Sequence, residues 1–166
     1  MDKRIRIGGI IAAIIFAILI WVSPSNPPPI PEPVTEYGNE YVQILATNLE
    51  KPWAIGFADD KIFVTEKVGR VRVIESGILL DDPLATLRTA NVFDGGLLGI
   101  AVHPAFDKNH FIYVYYTYEK DGALWNKILR ITESNNKLDA AKTIFDNIPG
   151  SVYNNGGIIK IGRAHV

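Results

Sequence analysis

Two glycine pairs in this chain each follow a polar residue that could meet a ligand. Asp94 stands before Gly95-Gly96, and Asn154-Asn155 before Gly156-Gly157. A carboxylate at such a bend accepts a hydrogen bond from a hydroxyl, and an amide orients one. An amide has no lone pair basic enough to take a proton at pH 7. Asn, Asp and Gly also tolerate the positive φ that tight turns need, so both stretches serve equally well as plain turns. Histidine is the residue whose ordinary pKa suits proton transfer. His103, before Pro104, and His110, after Asn109, both belong to a different part of the pattern, and His103 reads as the maker of a local hydrogen bond. Glu66 and Arg70 read as structural residues at strand ends. The chain has no cysteine, which excludes a disulfide framework, a thiolate zinc site, a catalytic cysteine and a lipidated N-terminal cysteine. A net charge of −1 over 166 residues gives no electrostatic case for nucleic acid as a partner.

The elements that would position these groups begin after a distinct N-terminal region. Lys3, Arg4 and Arg6 mark a basic tip, residues 1–6, and no charge follows from Ile7 to Val22. At 1.5 Å per residue that stretch makes a helix of about 24 Å. Its length falls between a secretory signal core and a full membrane span. No Ala-x-Ala arrangement follows Ile20; Trp21 and Pro24 do, and residues 7–22 are therefore expected to be an uncleaved transmembrane anchor, with a signal segment as the alternative. Basic residues ahead of it place the remainder outside the cytoplasm. Residues 23–40 hold six prolines between Pro24 and Pro33, which predicts an extended spacer between membrane and domain.

From about Tyr41 the chain reads as short strands. "KIFVTE" and "RVRVIES" alternate with period two, and "FIYVYYTYE" and "WNKILRITES" follow the same style between Gly, Asp and Asn turns. The order repeats: an apolar strand ("WAIGFA", then "LLGIAVHP"), an aromatic one, then a basic-apolar one. A repeated unit of four strands predicts an all-β domain built of propeller-like blades, and two such units cannot close a ring. Trp53, Trp125 and the tyrosines at 113, 115, 116 and 118 read as packing between sheets.

Three motifs carry a family resemblance. They are Leu49-x-x-Pro52-Trp53 leading to Thr65-Glu66-x-x-Gly69-Arg70; Gly95-Gly96-Leu97-Leu98-Gly99-Ile100-Ala101-x-His103-Pro104-x-Phe106; and Asn155-Gly156-Gly157. In this order they resemble the start of the glucose/sorbosone dehydrogenase family, the soluble-type PQQ-dependent aldose sugar dehydrogenases, which are six-bladed β-propellers. The resemblance spans about residues 41–160. It implies the first two to three blades of such a propeller, preceded here by one transmembrane helix. It also implies PQQ and calcium as cofactors, an aldose as substrate and an external electron acceptor. Most calcium and cofactor contacts of the family lie in later blades.

The resemblance assigns roles to residues. A histidine of the family takes the proton from the anomeric hydroxyl while hydride passes to the quinone. Asn154 occupies that position here, and Ile158 occupies the position of a family arginine. Asp94 matches a Gln or Glu directed at the cofactor, and Asn155 is expected at the substrate. The last residues, 161–166, resemble one reading frame of a sequencing adapter. A fragment is therefore expected, inactive by itself, with His165 outside any site. A non-catalytic propeller that binds carbohydrate or protein at the cell surface is the alternative reading.

Overall fold

The computed structural model describes residues 34–37 and 40–162, with side chains described from residue 43 onward. The expected anchor at 7–22 and the last four residues lie outside the described residues, as does most of the proline-rich spacer. Among the described residues no helix is long and apolar enough to cross a membrane.

The chain folds as antiparallel sheets joined in sequence order. Strands β1 (Val34–Tyr37) and β2 (Glu40–Val42) pair as a small hairpin, so extended structure begins within the stretch read as a spacer. The first larger sheet runs β3 (Pro52–Ala58), β4 (Lys61–Glu66), β5 (Arg70–Glu75) and β6 (Ile78–Leu79), and β7 (Ala85–Thr86) also pairs with β5. The second runs β8 (Leu97–Val102), β9 (Phe111–Lys120), β10 (Ala123–Ser134) and β11 (Lys137–Pro149). The repeated order of apolar, aromatic and basic-apolar strands is thus β3-β4-β5 and β8-β9-β10.

Turn chemistry sets the register. Lys120 pairs with Ala123 across Asp121 and Gly122, at φ 54° and 74°. Ser134 pairs with Lys137 across Asn135 and Asn136, at φ 51° and 61°. Two central residues with positive φ match the right-handed twist of the strands they join, which is why Asp-Gly and Asn-Asn stand there.

The two sheets pack face to face. Side chains alternate across a strand, and Gly56 on β3 faces the second sheet so closely that a Cβ there would lie 2.9 Å from the Val102 side chain on β8. Phe63, Val71 and Val73 from one sheet meet Ile100, Ile112, Val114, Leu129 and Ile131 from the other, all buried. Each contributes about 1.5–3 kcal/mol through removal from water. A short helix, α1 (Phe106–Asn109), lies between β8 and β9 and drives the Phe106 ring to 5.5 Å from that of Phe63. Polar contacts lock the same interface. The Thr65 hydroxyl donates to the Leu98 carbonyl at 2.7 Å, Leu138 N–H to the Leu84 carbonyl at 2.9 Å, and Lys61 Nζ to buried Glu133 at 3.1 Å.

The opposite face of β3 carries Trp53, Ile55 and Phe57, all exposed. These alternate with Ala54, Gly56 and Ala58, so β3 is apolar on both sides while the described residues cover only one.

Candidate functional site

The glycine pairs act by letting backbones approach. Gly96, at φ 119°, sits where a Cβ would be 2.4 Å from the Lys67 carbonyl. That carbonyl accepts the Leu97 N–H at 3.1 Å, which joins the β4–β5 turn to the start of β8. A Cβ on Gly99 would be 1.8 Å from the Gly157 carbonyl, so the chain after β11 crosses directly over β8 there. Any side chain at 99 would push that crossing segment away.

This crossing brings the two sequence-predicted polar residues together. Asp94 donates its N–H to the Val152 carbonyl at 2.9 Å, and its Oδ2 accepts the Asn154 N–H at 3.0 Å. Asn154 is exposed and left-handed at φ 61°, a conformation that asparagine tolerates. Its amide therefore projects from the surface beside a carboxylate. The geometry can orient hydroxyls; it provides no base at residue 154.

Asn155, expected at the substrate, is turned inward. It is 6% exposed. Its Nδ2 donates to the Ser151 carbonyl at 2.6 Å, and its Oδ1 accepts from Ser151 N–H at 2.9 Å and Asn126 Nδ2 at 3.2 Å. Asn126 Oδ1 in turn accepts the Thr117 hydroxyl at 2.7 Å, and Tyr115 donates its hydroxyl to the Asn155 carbonyl at 2.9 Å. Asn155 thus ties the 150–157 loop to β9 and β10. A buried polar network of this kind rigidifies its surroundings when every member is satisfied.

Sequence reasoning missed two further features. Phe93 and Tyr153, each one residue before Asp94 and Asn154, are exposed and pack on each other with ring centroids 5.0 Å apart. The signal was the parallel between Phe-Asp-Gly-Gly and Tyr-Asn-Asn-Gly-Gly. Lys67 completes the surroundings: its Nζ donates to the Phe93 carbonyl at 2.8 Å and stands 4.9 Å from the Trp53 ring.

The remaining candidates lie elsewhere. His103 is at the far end of β8 from Asp94; its Nδ1 accepts the Ala105 N–H at 3.0 Å and lies 2.8 Å from the Asn109 amide. Accepting at Nδ1 leaves the proton of the neutral ring on Nε2, and His103 is a local structural pin. Glu66 is buried against Arg70 Nε at 2.6 Å, with Arg72 at 3.8 Å and the Glu50 N–H on its other oxygen. Burial raises its pKa, but the Arg70 and Glu50 hydrogen bonds and the two arginine charges outweigh that and hold it below the ordinary 4.5. Among the described residues no group of three or more His, Cys, Asp or Glu is placed to hold a metal ion. A concavity of about 600 Å³ lined by Arg88, Tyr118 and Lys127 does not include Asp94 or Asn154.

The fold and its glycine-built crossing define a class: an all-β protein of consecutive antiparallel sheets with a polar pair at the sheet-to-sheet connections. Residues 49–165 match the family model "Glucose / Sorbosone dehydrogenase", and the chain belongs to that family. It is 32% identical over 108 residues to protein slr1608 of Synechocystis sp., covering 59% of this chain and 26% of that protein. Its structure is similar to an oxidoreductase (glucose dehydrogenase) of Thermus thermophilus, with TM-score 0.63 and 30% identity over 69% of this chain and 35% of that one. It is also similar to the PQQ-bound aldose sugar dehydrogenase of Streptomyces coelicolor, with TM-score 0.62 and 26% identity over 76% of this chain and 39% of that one. The chain thus spans between about a quarter and two-fifths of the length of these relatives.

Proposed function

We propose that this chain is the N-terminal part of a PQQ-dependent dehydrogenase that oxidises aldoses at the anomeric carbon and passes electrons to an external acceptor. In this reading the two sheets are the opening blades of a six-bladed propeller, held outside the cytoplasm by an anchor at residues 7–22. The observation that carries it is the family match over residues 49–165. The apolar side of β3, with Trp53, Ile55 and Phe57 uncovered, suits a strand meant to be packed on both faces.

The described residues do not by themselves form a cradle for PQQ, a planar quinone with three carboxylates. The Lys67 ammonium, beside the residue that precedes Asp94, is engaged by the Phe93 carbonyl and the Trp53 ring. The Asp94 carboxylate adds repulsion. Nor do they gather the acids that calcium needs. Both groups would have to be held mainly by residues outside this chain, and no chemical step is assigned to the residues here. Their role is to present hydroxyl-binding groups, Asp94 and the Asn154 amide, at one end of the sheets.

One observation favours a second reading. Asn154 is exposed at the position where the resemblance expects a histidine base, and no described histidine stands in for it. A protein of this family that binds carbohydrate without oxidising it would look the same. Reconstituting the full reading frame with PQQ and calcium separates the two: aldose-dependent dye reduction supports the dehydrogenase and excludes the binding-only protein. Residues 1–166 alone are expected to give no turnover. Membrane fractionation, with and without residues 1–22, tests the anchor; protein that stays soluble with them present rules it out.

A further inference from the structure

The second sheet meets the first through one face only. Leu129 and Ile131 of β10 point into the core between the sheets, so Ile128, Arg130 and Thr132 point away from it. Tyr113 on β9 and Lys142 on β11 pair with Arg130 and share its outer face. None of the residues paired with Ile128, Arg130 or Thr132 is acidic. The Arg130 guanidinium lies 4.0 Å from the centre of the Phe111 ring. Its Nε is buried and donates to nothing among the described residues, whereas its terminal nitrogens are open on the outer face. No described carboxylate lies within ion-pair reach of it. The sheet by itself therefore leaves a half-buried cation short of an acceptor and of a counter-charge, which folded proteins rarely do.

The junction between the two sheets shows how such a charge is met. Lys61 on β4 donates to Glu133 Oε1 on β10 at 3.1 Å, with the Glu133 side chain only 2% exposed. One sheet presents a cation forward, and the next returns a buried carboxylate. In the repeated order β4 corresponds to β9 and β5 to β10, so the forward face of the first sheet corresponds to the Arg130 face of the second. We propose that Arg130, with Lys142 beside it, receives a carboxylate from a further antiparallel sheet laid on this outer face. This rests on the reading above that the chain is the N-terminal part of a longer protein, and it adds the chemistry of the next contact: an Asp or Glu opposite Arg130. A guanidinium laid against a ring keeps its edge for a carboxylate, which it matches with two parallel hydrogen bonds. A second copy docked by the same face would set Arg130 and Lys142 against their own kind, and like charges repel.

The test uses the complete reading frame without added cofactor. A water-soluble carbodiimide joins an ammonium to a carboxylate in contact with it as an amide, the carbodiimide leaving as its urea, and peptide mass spectrometry locates the bond. Lys142 in the unaltered protein, or residue 130 in Arg130→Lys, should be joined to an Asp or Glu beyond residue 162 of the same molecule. Arg130→Gln should lower the folding equilibrium constant in urea titrations about tenfold, equivalent to about 1.4 kcal/mol. Arg88→Gln, which removes an exposed cation between β7 and β8, should leave it unchanged. Bonds from both positions only to residues 1–162, only to a second molecule, or to nothing overturn the proposal, and the Lys142 result is read whether or not the variants fold. Equal unfolding of Arg130→Gln and the wild-type protein overturns it as well. If aldoses are oxidised by the loaded protein while no such bond forms, this contact fails and the dehydrogenase reading stands. If the bond forms and no aldose is oxidised, the reverse holds.

Discussion

Asn154 donates its backbone N–H to Asp94 Oδ2 at 3.0 Å across 60 residues of sequence. The two residues belong to different connections, one entering β8 and one leaving β11, and this bond fixes their separation. Asp94→Ala should lower stability by about 1 kcal/mol, an ordinary net value for one hydrogen bond, and increase protease cutting between 150 and 158. Asp94→Asn, which keeps an acceptor oxygen, should lose less. Urea unfolding with limited proteolysis checks both. Equal behaviour of the two variants would mean that the acceptor is not what holds the loop.

The buried amides should be costlier to remove. Asn126→Ala leaves the Thr117 hydroxyl without its acceptor and removes one of the two donors to Asn155 Oδ1, and an unsatisfied buried polar group costs about 1–3 kcal/mol. Asn155→Ala removes the same contact from the other side. The double variant should therefore lose less than the sum of the singles, with a coupling of about 0.5–3 kcal/mol. Additive losses in denaturant titrations would show that the two amides act independently.

Gly99→Ala tests the crossing itself. Its Cβ would meet the Gly157 carbonyl at 1.8 Å, so the segment from 155 to 159 should detach, exposing Asn155 and the far face of β8. Gly162→Ala, with nothing within 4 Å of the added carbon, should change nothing. Hydrogen exchange at residues 151–159 reads the difference. Unchanged protection in Gly99→Ala would contradict the placement of this segment.

The strand order was legible in the sequence because period-two alternation in "KIFVTE" and "RVRVIE" survives folding unchanged as β4 and β5. Asp121-Gly122 and Asn135-Asn136 likewise marked hairpins by their own backbone preferences. Other features were hidden. Helix α1 is four residues long, too short for any period to show. β11 runs over 13 residues because pairing with β10 extends it. Strand β2 ends at Val42. In the site, Asp94 and Asn154 stood out through their glycines, but nothing local distinguishes Asn155 turned inward from Asn154 turned outward. That difference is set by Asn126 and Ser151, which meet Asn155 only after the sheet forms.

Acid should expose the role of Glu66. Its folded pKa lies below the ordinary 4.5, so its charged form stabilises the fold above that value, and the contribution is lost as pH falls through the folded pKa. Glu66→Gln should flatten the stability-pH curve below about pH 4.5. Parallel curves for Glu66→Gln and the wild-type chain would show that the Arg70 pairing is not what depresses this carboxyl.

The most direct measurement is dye reduction by the complete reading frame loaded with PQQ and calcium, supplied with D-glucose and with no sugar. A glucose-dependent rate well above the sugar-free rate, absent from residues 1–166 alone, is the expected result. A complete protein that binds PQQ yet reduces no dye with any aldose would contradict the dehydrogenase and leave a carbohydrate-binding member of the family.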